Sequence, residues 1–352
     1  MNIPAISRNF VVVGGARGIG AAIAVAEAAR GHQGYIGDIL KQEHVDPALH
    51  QYLKSGQIQY GTMDVLREDS IGAFRDSVVE KFGAEKPLAL IKMAGISKRG
   101  DLTNIDDFKA IKMMIDINMR GAELVTGAFS EVLRESQGTV VLASSIVAET
   151  GKATKGDQMY LMTKLWAWVL GAKILHDQET FQDVIAWAVA PGLVITDLTR
   201  KEVTFPAAMV PAARAAAGDE KLRAGMAEFV GIPLEEFPTT PAEILYASLQ
   251  EVLQSLDSHD GLKKLLDKDP ELGDRTLLLF LNRAARDKKT REINSAVVER
   301  SIQVLGALDI AIGPEVVADM VSAQLDLGKP PAKGILKAYS RDGGNRIEKV
   351  GV

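Results

Sequence analysis

The sequence predicts an α/β protein built on a doubly wound, mainly parallel β-sheet. Short, β-branched apolar segments alternate with longer segments of helical spacing, a pattern typical of parallel sheets covered by helices on both faces. Several of the predicted strands end at a glycine, an aspartate, a serine or a Pro-Gly pair. Ligands of such sheets bind beyond the carboxyl ends of the strands, so these strand ends predict one shared site.

The predicted elements follow one another along the chain. Strands are expected over residues 10–13, 35–38, 58–63, 88–93, 139–143, 184–189 and 334–339. Helices are expected over residues 19–30, 70–82, 105–136, 160–177 and 314–326.

Residues 198–313 differ from the rest of the chain. They offer little strand signal and are rich in Ala, Leu, Glu and Lys, with several prolines, so we expect amphipathic helices there. A crossover between parallel strands needs only a dozen or more residues. We therefore predict that residues 1–197 and 314–352 form the sheet domain. Residues 198–313 would be an inserted helical lid over a substrate, an oligomerisation element or a protein-binding surface.

Composition excludes several classes of site. The chain has no cysteine, which excludes disulfides, thiolate metal sites and a cysteine nucleophile. Its five histidines show no metal-ligand spacing, so no metal is expected. The net charge of −5 without a basic block gives no case for nucleic acid. Without a long apolar run or a signal-like N-terminus, we expect no membrane partner and a cytoplasmic location.

The first motif is the glycine-rich stretch GGARGIG at residues 14–20. Glycines there let the backbone approach a pyrophosphate, and the following helix N-terminus presents free N–H groups to it. Asp38, at the end of the second predicted strand, suits a ribose hydroxyl and would repel a 2′-phosphate, which favours NAD. Arg17 could instead hold that phosphate, or pair with Asp38, so NADP stays possible.

The second motif is Tyr160 with Lys164, which share a helix face because they are four residues apart. Lowering a phenol pKa from about 10 to about 7 requires about 4 kcal/mol. An ammonium at about 4 Å supplies about that much at an effective dielectric of 20. The spacing alone is common on amphipathic helices. However, Ser145 ends the preceding strand and could polarise a substrate carbonyl, and Asn118 could bridge through water to Lys164.

Together these residues resemble the classical short-chain dehydrogenase/reductase family. Its motifs have counterparts from residue 10 to residue 197, and the resemblance resumes over residues 314–344. The counterparts, in chain order, are Gly14, Gly18 and Gly20; Asp38; Asp64 and Val65; Ala94 and Gly95; Asn118; Ser145; Tyr160 and Lys164; Pro191 and Gly192; and Thr196.

The resemblance implies a Rossmann fold and a role for each matched residue. Tyr160 would be the acid/base, Lys164 would hold the nicotinamide ribose, Ser145 would polarise the carbonyl and Asn118 would support a proton relay. Arg17 and Ile19 lie within the cofactor loop, Asp64 and Val65 would flank the adenine, and Ala94 and Gly95 would line the cofactor site. Pro191 and Gly192, with Val194 and Thr196, would lie on the nicotinamide and phosphate side.

The predicted function is therefore an NAD(H)-dependent oxidoreductase that interconverts a secondary alcohol and a ketone, as a homodimer or homotetramer. One alternative is a non-redox epimerase or dehydratase that retains NAD. The GxxxGxG spacing disfavours this alternative, because those relatives carry GxxGxxG. The other alternative is a catalytically quiet dinucleotide-binding regulatory protein.

Three positions depart from the family pattern. Val13 stands where the family usually has threonine, and Lys92 and Met93 stand where it has two asparagines. Neutral drift of scaffold contacts explains all three. The competing interpretation is that Lys92 adds positive charge near the cofactor.

Overall fold

The computed structural model describes residues 7–98, 100–101, 103–151, 156–196, 199, 204–253, 291–307, 311–329, 335–338, 340–341, 344–345 and 349–350. The chain divides into two compact units. The first comprises Met1–Gly192, Gly313–Tyr339 and Arg346–Val352. The second comprises Leu193–Ile312 and Ser340–Asn345.

The first unit is built on an eight-stranded sheet with the order β10-β7-β6-β5-β4-β1-β2-β3. Neighbouring strands are parallel except at β10, which pairs antiparallel with β7. The strands are β1 (Asn9–Val13), β2 (Gln33–Asp38), β3 (Ile58–Thr62), β4 (Leu88–Lys92), β5 (Thr139–Ala143), β6 (Ile185–Pro191), β7 (Ile335–Ala338) and β10 (Lys349–Val350). The strand order reverses between β1 and β4, which makes their carboxyl ends the expected ligand site.

Helices cover this sheet, so the predicted doubly wound α/β architecture is confirmed. In chain order, the helices among the described residues are α1 (Gly18–Ala29), α2 (His50–Lys54), α3 (Glu68–Phe82), α4 (Phe108–Met114), α5 (Gly121–Ala128), α6 (Ser130–Glu135), α7 (Ile146–Thr150), α8 (Gln158–His176), α9 (Thr204–Gly218), α10 (Glu220–Val230), α11 (Pro241–Leu253), α12 (Arg291–Ala307) and α13 (Pro314–Asp326). All five residues of β1 and of β4 are buried, which explains why central parallel strands have continuous apolar sequences.

The helical segment predicted over residues 105–136, with Gly121 and Gly127 as possible weak points, is helical but interrupted near both glycines. The segment begins with a 3₁₀ turn at Ile105–Asp107, and a π-helical turn at Ile115–Arg120 separates α4 from α5. A second break lies between α5 and α6. A π turn inserts a residue and so rotates α5 relative to α4, and such turns occur frequently at functional sites. Here it carries the buried Asn118, whose tertiary hydrogen bonds compensate for the broken helical pattern.

The second unit packs helices α9 to α12 around its own apolar core, which includes Met209, Met226, Leu249 and Val304. The described part of residues 198–313 is thus helical, as its composition indicated; residues 254–290 lie outside the described residues. A two-stranded ribbon, β8 (Ser340–Arg341) with β9 (Gly344–Asn345), also belongs to this unit. In the part of the chain that the structure describes, no helix is long and apolar enough to cross a membrane.

Candidate active site

The glycine-rich stretch forms the turn between β1 and α1, at the carboxyl edge of the sheet. Gly14 has φ of +79°, and a Cβ there would lie 2.3 Å from the Ala94 backbone nitrogen, so only glycine fits. The Ala94 turn is itself held by hydrogen bonds of 2.8 Å from the Met93 and Ala94 N–H groups to the Val13 carbonyl. The cofactor loop and the end of β4 therefore form one close-packed support.

The N-terminus of α1 fits a pyrophosphate. Its N-cap, Arg17, is extended and provides no side-chain capping bond, and the first turn carries no acidic residue. The helix thus presents its first N–H groups and the positive end of its dipole, which favours an anion. Gly18, Ile19 and Gly20 form this first turn.

Asp38 ends β2 beside the same loop. One carboxylate oxygen accepts a hydrogen bond of 3.0 Å from the Ala16 N–H, and the other accepts one of 3.1 Å from the Leu40 N–H. Arg17 donates from Nε to the His44 carbonyl at 3.0 Å. Asp38, which favours NAD, and Arg17, which could favour NADP, therefore both lie on the first βαβ unit.

Asp64 and Val65 follow β3 at the same edge. The Asp64 carboxylate accepts a hydrogen bond of 2.9 Å from the Leu66 N–H. Val65 is buried, and a Cβ on Gly121 would lie 2.9 Å from its side chain. Val65 therefore packs against the start of α5, directly after the π turn.

Asn118 joins the β4 turn to helix α8. Its Oδ1 accepts from the Ile96 N–H at 2.9 Å, and its Nδ2 donates to the Ile96 carbonyl at 2.9 Å and to Thr163 Oγ1 at 3.0 Å. Thr163 in turn donates to the Tyr160 carbonyl at 2.8 Å. The carboxamide is buried, and these bonds fix its orientation.

Tyr160 and Lys164 lie on the first turns of α8, as predicted. Lys164 Nζ lies 5.6 Å from the centroid of the half-buried Tyr160 ring and donates to the Ala143 carbonyl at 3.2 Å. Lys164 is 7% exposed, and burial lowers its pKa to about 8. An ammonium at this place can stabilise a phenolate.

The end of β5 is tied to the same helix. Ser144 donates from its hydroxyl to the Lys164 carbonyl at 2.9 Å. Ser145 is the N-cap of α7, where its hydroxyl accepts a long hydrogen bond of 3.4 Å from the Val147 N–H. Because the hydroxyl oxygen is the acceptor in this capping bond, the hydroxyl proton can still be donated to another group.

Gly95 lies close to two other predicted site residues, Asn118 and Lys164. A Cβ there would be 3.2 Å from Asn118 Oδ1 and 3.4 Å from Lys164 Nζ. The structure thus brings Asn118, Lys164 and Gly95 together.

The last predicted positions are divided between the two units. Pro191 ends β6, which lies beside β5, and Gly192 ends the first of the three chain segments that form the first unit. Val194 and Thr196 belong to the second unit, where Val194 forms a parallel bridge with Ile312 and the Thr196 N–H donates to Thr199 Oγ1 at 3.0 Å.

Among the three positions that depart from the family pattern, Lys92 fits neutral drift least well. It is 2% exposed, lies opposite Val13 in the β1–β4 register, and donates to the Ala94 and Ile117 carbonyls. Burial, and secondarily the charge of Lys164, lowers its pKa to about 7. The signal in the sequence was a lysine at the end of an apolar run, LALIK, whose every position is buried.

Thr163 and Ser144 were also missed as contributors to the site. Both are small hydroxyl residues directly beside predicted site residues, and both are buried. Nothing local in the sequence reveals that the Ser144 hydroxyl bonds to the Lys164 carbonyl or that Thr163 accepts from Asn118. For metals, the residues that the structure describes contain no group of three or more His, Asp or Glu side chains able to hold an ion.

Comparison with known proteins agrees with this geometry. The sequence model of the family described as short chain dehydrogenase matches residues 8–206. A 3-oxoacyl-(acyl-carrier-protein) reductase, FabG, of Staphylococcus aureus is 26% identical over 197 residues, which cover 55% of this chain and 77% of that protein. The corresponding reductase of Synechocystis is 27% identical over 194 residues, covering 54% and 75%.

A solved structure shares the fold. The short-chain dehydrogenase/reductase of Serratia marcescens matches with a TM-score of 0.50 at 19% identity, covering 59% of this chain and 83% of that one. The family match spans more than half of the chain, and it contains the glycine turn and the Tyr160–Lys164 helix described above. The chain therefore belongs to the short-chain dehydrogenase/reductase family of oxidoreductases, which use NAD or NADP.

Proposed function

We propose that this protein interconverts a secondary alcohol and a ketone with NAD(H), and that Tyr160 is its general acid/base. The observation that carries the proposal is the buried Lys164 ammonium beside the Tyr160 ring, with 5.6 Å between Nζ and the ring centroid. Bound NAD(H) would supply the hydride chemistry. The protein's own task is to orient the carbonyl and to move one proton.

In the direction of reduction, the Tyr160 hydroxyl would give its proton to the carbonyl oxygen. In oxidation, the phenolate takes that proton back from the alcohol. Lys164, with a pKa of about 8, stays mainly protonated at pH 7 and lowers the energy of the phenolate. The Ser145 hydroxyl would donate to the substrate oxygen, where negative charge develops.

The cofactor would lie along the carboxyl edge of the sheet. Gly14, Arg17, Gly18, Ile19 and Gly20 would hold its pyrophosphate. Further proposed cofactor-binding residues are Asp38 for the adenosine ribose, Asp64 and Val65 for the adenine, and Ala94, Gly95, Pro191 and Gly192. Val194 and Thr196 are proposed for the nicotinamide amide and the phosphates.

The experiment that tests the proposal replaces Tyr160 with Phe. We expect kcat to fall at least about 100-fold, because general acid–base catalysis contributes that much, while the Kd for NADH changes by less than about threefold, since the phenol oxygen is not a major binding group. Tyr52→Phe, which removes a phenol on α2, is the control and should keep full activity. Full turnover by Tyr160→Phe would refute the assignment.

The substrate is sought with a panel of ketones and secondary alcohols. A 3-oxoacyl thioester belongs on this panel because of the names of the relatives. Stoichiometric consumption of NADH supports the proposal. A transient absorbance change would instead support an epimerase or dehydratase, and no turnover on any compound would support a regulatory protein.

Asp38 is the basis for preferring NAD over NADP. Asp38→Asn removes the charge but keeps one acceptor, so we expect the ratio of Kd values to shift toward NADPH by about tenfold, which corresponds to about 1.4 kcal/mol. Fluorescence titration with both reduced cofactors measures this ratio. A stronger preference of the unmodified protein for NADPH, lost in Arg17→Gln, would reverse the choice. The homo-oligomeric state, the cytoplasmic location and a lid role for residues 198–313 stay predictions.

A further inference from the structure

Lys92 is a buried lysine that the proposed chemistry does not use. It lies at the end of β4 and is 2% exposed. Its Nζ donates to the Ala94 carbonyl at 2.7 Å and to the Ile117 carbonyl at 3.0 Å. One side chain thus cross-links two separate segments, the turn after β4 and the π-helical turn.

Each of these carbonyls belongs to a residue that directly precedes a site residue. Gly95 follows Ala94, and Asn118 follows Ile117. The Asn118 carboxamide makes a second tie between the same two segments, through both backbone groups of Ile96. Lys92 and Asn118 therefore brace the same junction.

This junction also reaches the catalytic helix. Asn118 Nδ2 donates to Thr163 Oγ1 at 3.0 Å, and Thr163 lies between Tyr160 and Lys164 on α8. A misplaced Asn118 would thus release one restraint on the helical turn that presents the catalytic pair.

We propose that Lys92 is a positioning residue, which holds the π turn against the β4 turn and thereby fixes the Asn118 carboxamide against Thr163 and the Tyr160–Lys164 turn. The inference deepens the proposed function and rests on it for its catalytic readout only. A lysine suits this place because its amino group, charged or neutral, offers at least two N–H donors at the end of a four-carbon chain, one for each carbonyl. A shorter amide could not span the same two carbonyls.

The cofactor loop is supported without Lys92. The Met93 and Ala94 N–H groups both bond to the Val13 carbonyl at 2.8 Å, which ties the β4 turn to β1 through backbone alone. Loss of the Lys92 bonds should therefore disturb Asn118 and the rate of the chemical step more than the binding of NADH.

The test uses two variants at this position and one control. Lys92→Met keeps a similar length without a donor, and Lys92→Asn restores the residue usual in the family at this position, with too short a reach for both carbonyls. Lys112→Met removes an ammonium from the neighbouring α4, where Lys112 is 73% exposed and pairs with Asp116. All three are studied as the full chain.

The first readout needs no substrate. Hydrogen exchange of the Asn118 carboxamide is followed by NMR, and its signals are assigned by their loss in Asn118→Asp. We expect exchange about tenfold faster in Lys92→Met and at least about threefold faster in Lys92→Asn, because a brace of the junction is lost. Lys112→Met should match the unmodified protein. Unchanged exchange in Lys92→Asn would overturn the proposal, and this variant decides alone if Lys92→Met does not fold.

The second readout is kinetic, with the best carbonyl substrate of the panel. For both Lys92 variants we expect kcat to fall about tenfold, since small misplacements of reacting groups are costly, with KM and the Kd for NADH within about twofold. Faster exchange with an unchanged kcat would overturn the positioning role. If the unmodified protein reduces nothing on the panel, the proposed function fails, while the exchange measurement still decides how Lys92 holds Asn118.

Discussion

The two edges of the main sheet bury cations in opposite ways. At the amino edge, Arg8 is 4% exposed and makes bonds of 2.7 and 3.0 Å to the fully buried Glu27, with Asp326 at 2.8 Å. At the carboxyl edge, Lys92 and Lys164 are as deeply buried, but their observed acceptors are backbone carbonyls. The same fold thus contains one cation network paired with carboxylates and one held by neutral groups.

The difference appears in the pKa values. Burial disfavours the charge of Arg8, but hydrogen bonds and charge from Glu27 and Asp326 outweigh it and raise the Arg8 pKa. Burial lowers the pKa of Lys92 to about 7, helped by the charge of Lys164, and lowers that of Lys164 to about 8. Arg8 therefore keeps its charge at any ordinary pH, whereas Lys92 and Lys164 can lose protons near neutrality, as is common at functional sites.

The largest effect is expected from breaking the paired network. Glu27→Gln should lower the free energy of unfolding by about 3 to 5 kcal/mol, because it leaves Arg8 buried without its main counter-charge. Urea unfolding at pH 7, followed by circular dichroism, measures this loss. The control is Asp69→Asn, which breaks the exposed pair with Arg67 and should change the free energy of unfolding far less, because solvent screens an exposed pair. Equal losses in the two variants would mean that the buried Arg8–Glu27 pair contributes no more to the free energy of unfolding than an exposed pair does.

The sequence was sufficient to predict the seven parallel strands and the elements on which many candidate site residues lie, but not the antiparallel strand β10. Strand patterns are local, and motif residues such as Gly14, Tyr160 and Lys164 stand at strand ends or on one helix face, so their placement follows from the fold class. The Arg8–Glu27 pair was not predictable, because its two members lie 19 residues apart in a pattern with no local signature.

The π turn at Ile115–Arg120 was missed for a related reason. The segment has helical spacing throughout, and the break is stabilised by tertiary bonds from Asn118 and Lys92, which the helical period cannot report. Lys92 departs from the family pattern in sequence, but its burial and its two carbonyl acceptors are properties of the packed strand. Where a residue compensates a distortion elsewhere in the chain, sequence spacing alone does not reveal it.

A pH series sharpens the comparison at the carboxyl edge. The pKa of Lys92 is about 7 in the folded chain and about 10.4 in the unfolded chain. Between these two pH values Lys92 is protonated in the unfolded chain and mainly neutral in the folded chain. The free energy of unfolding contributed by this group therefore rises with pH in that window, by up to about 1.4 kcal/mol per pH unit, and is flat below it.

The prediction is that the unmodified protein gains stability relative to Lys92→Met as pH rises from 7 to 9. Urea unfolding of both proteins at pH 6, 7, 8 and 9 gives the difference at each pH, which removes the contributions of the other titrating groups. A difference that stays constant over this range would show that Lys92 keeps its charge, and the two edges would then be alike.

The smallest effect is expected where a lysine of the same region is exposed. Lys112, one turn before Asp116 on the neighbouring helical segment, is 73% exposed, so its Lys112→Met variant loses a solvated pair worth about 0.3 to 0.5 kcal/mol. That loss should stay small at every pH from 6 to 9, because solvent screens an exposed pair. The same urea series measures it. If Lys112→Met showed the same pH dependence of stability as Lys92→Met, removal of any nearby lysine charge would explain that dependence. If the stability difference for Lys112→Met does not change with pH, the pH dependence belongs to Lys92, which is buried without a carboxylate partner. This property separates the carboxyl edge from the amino edge.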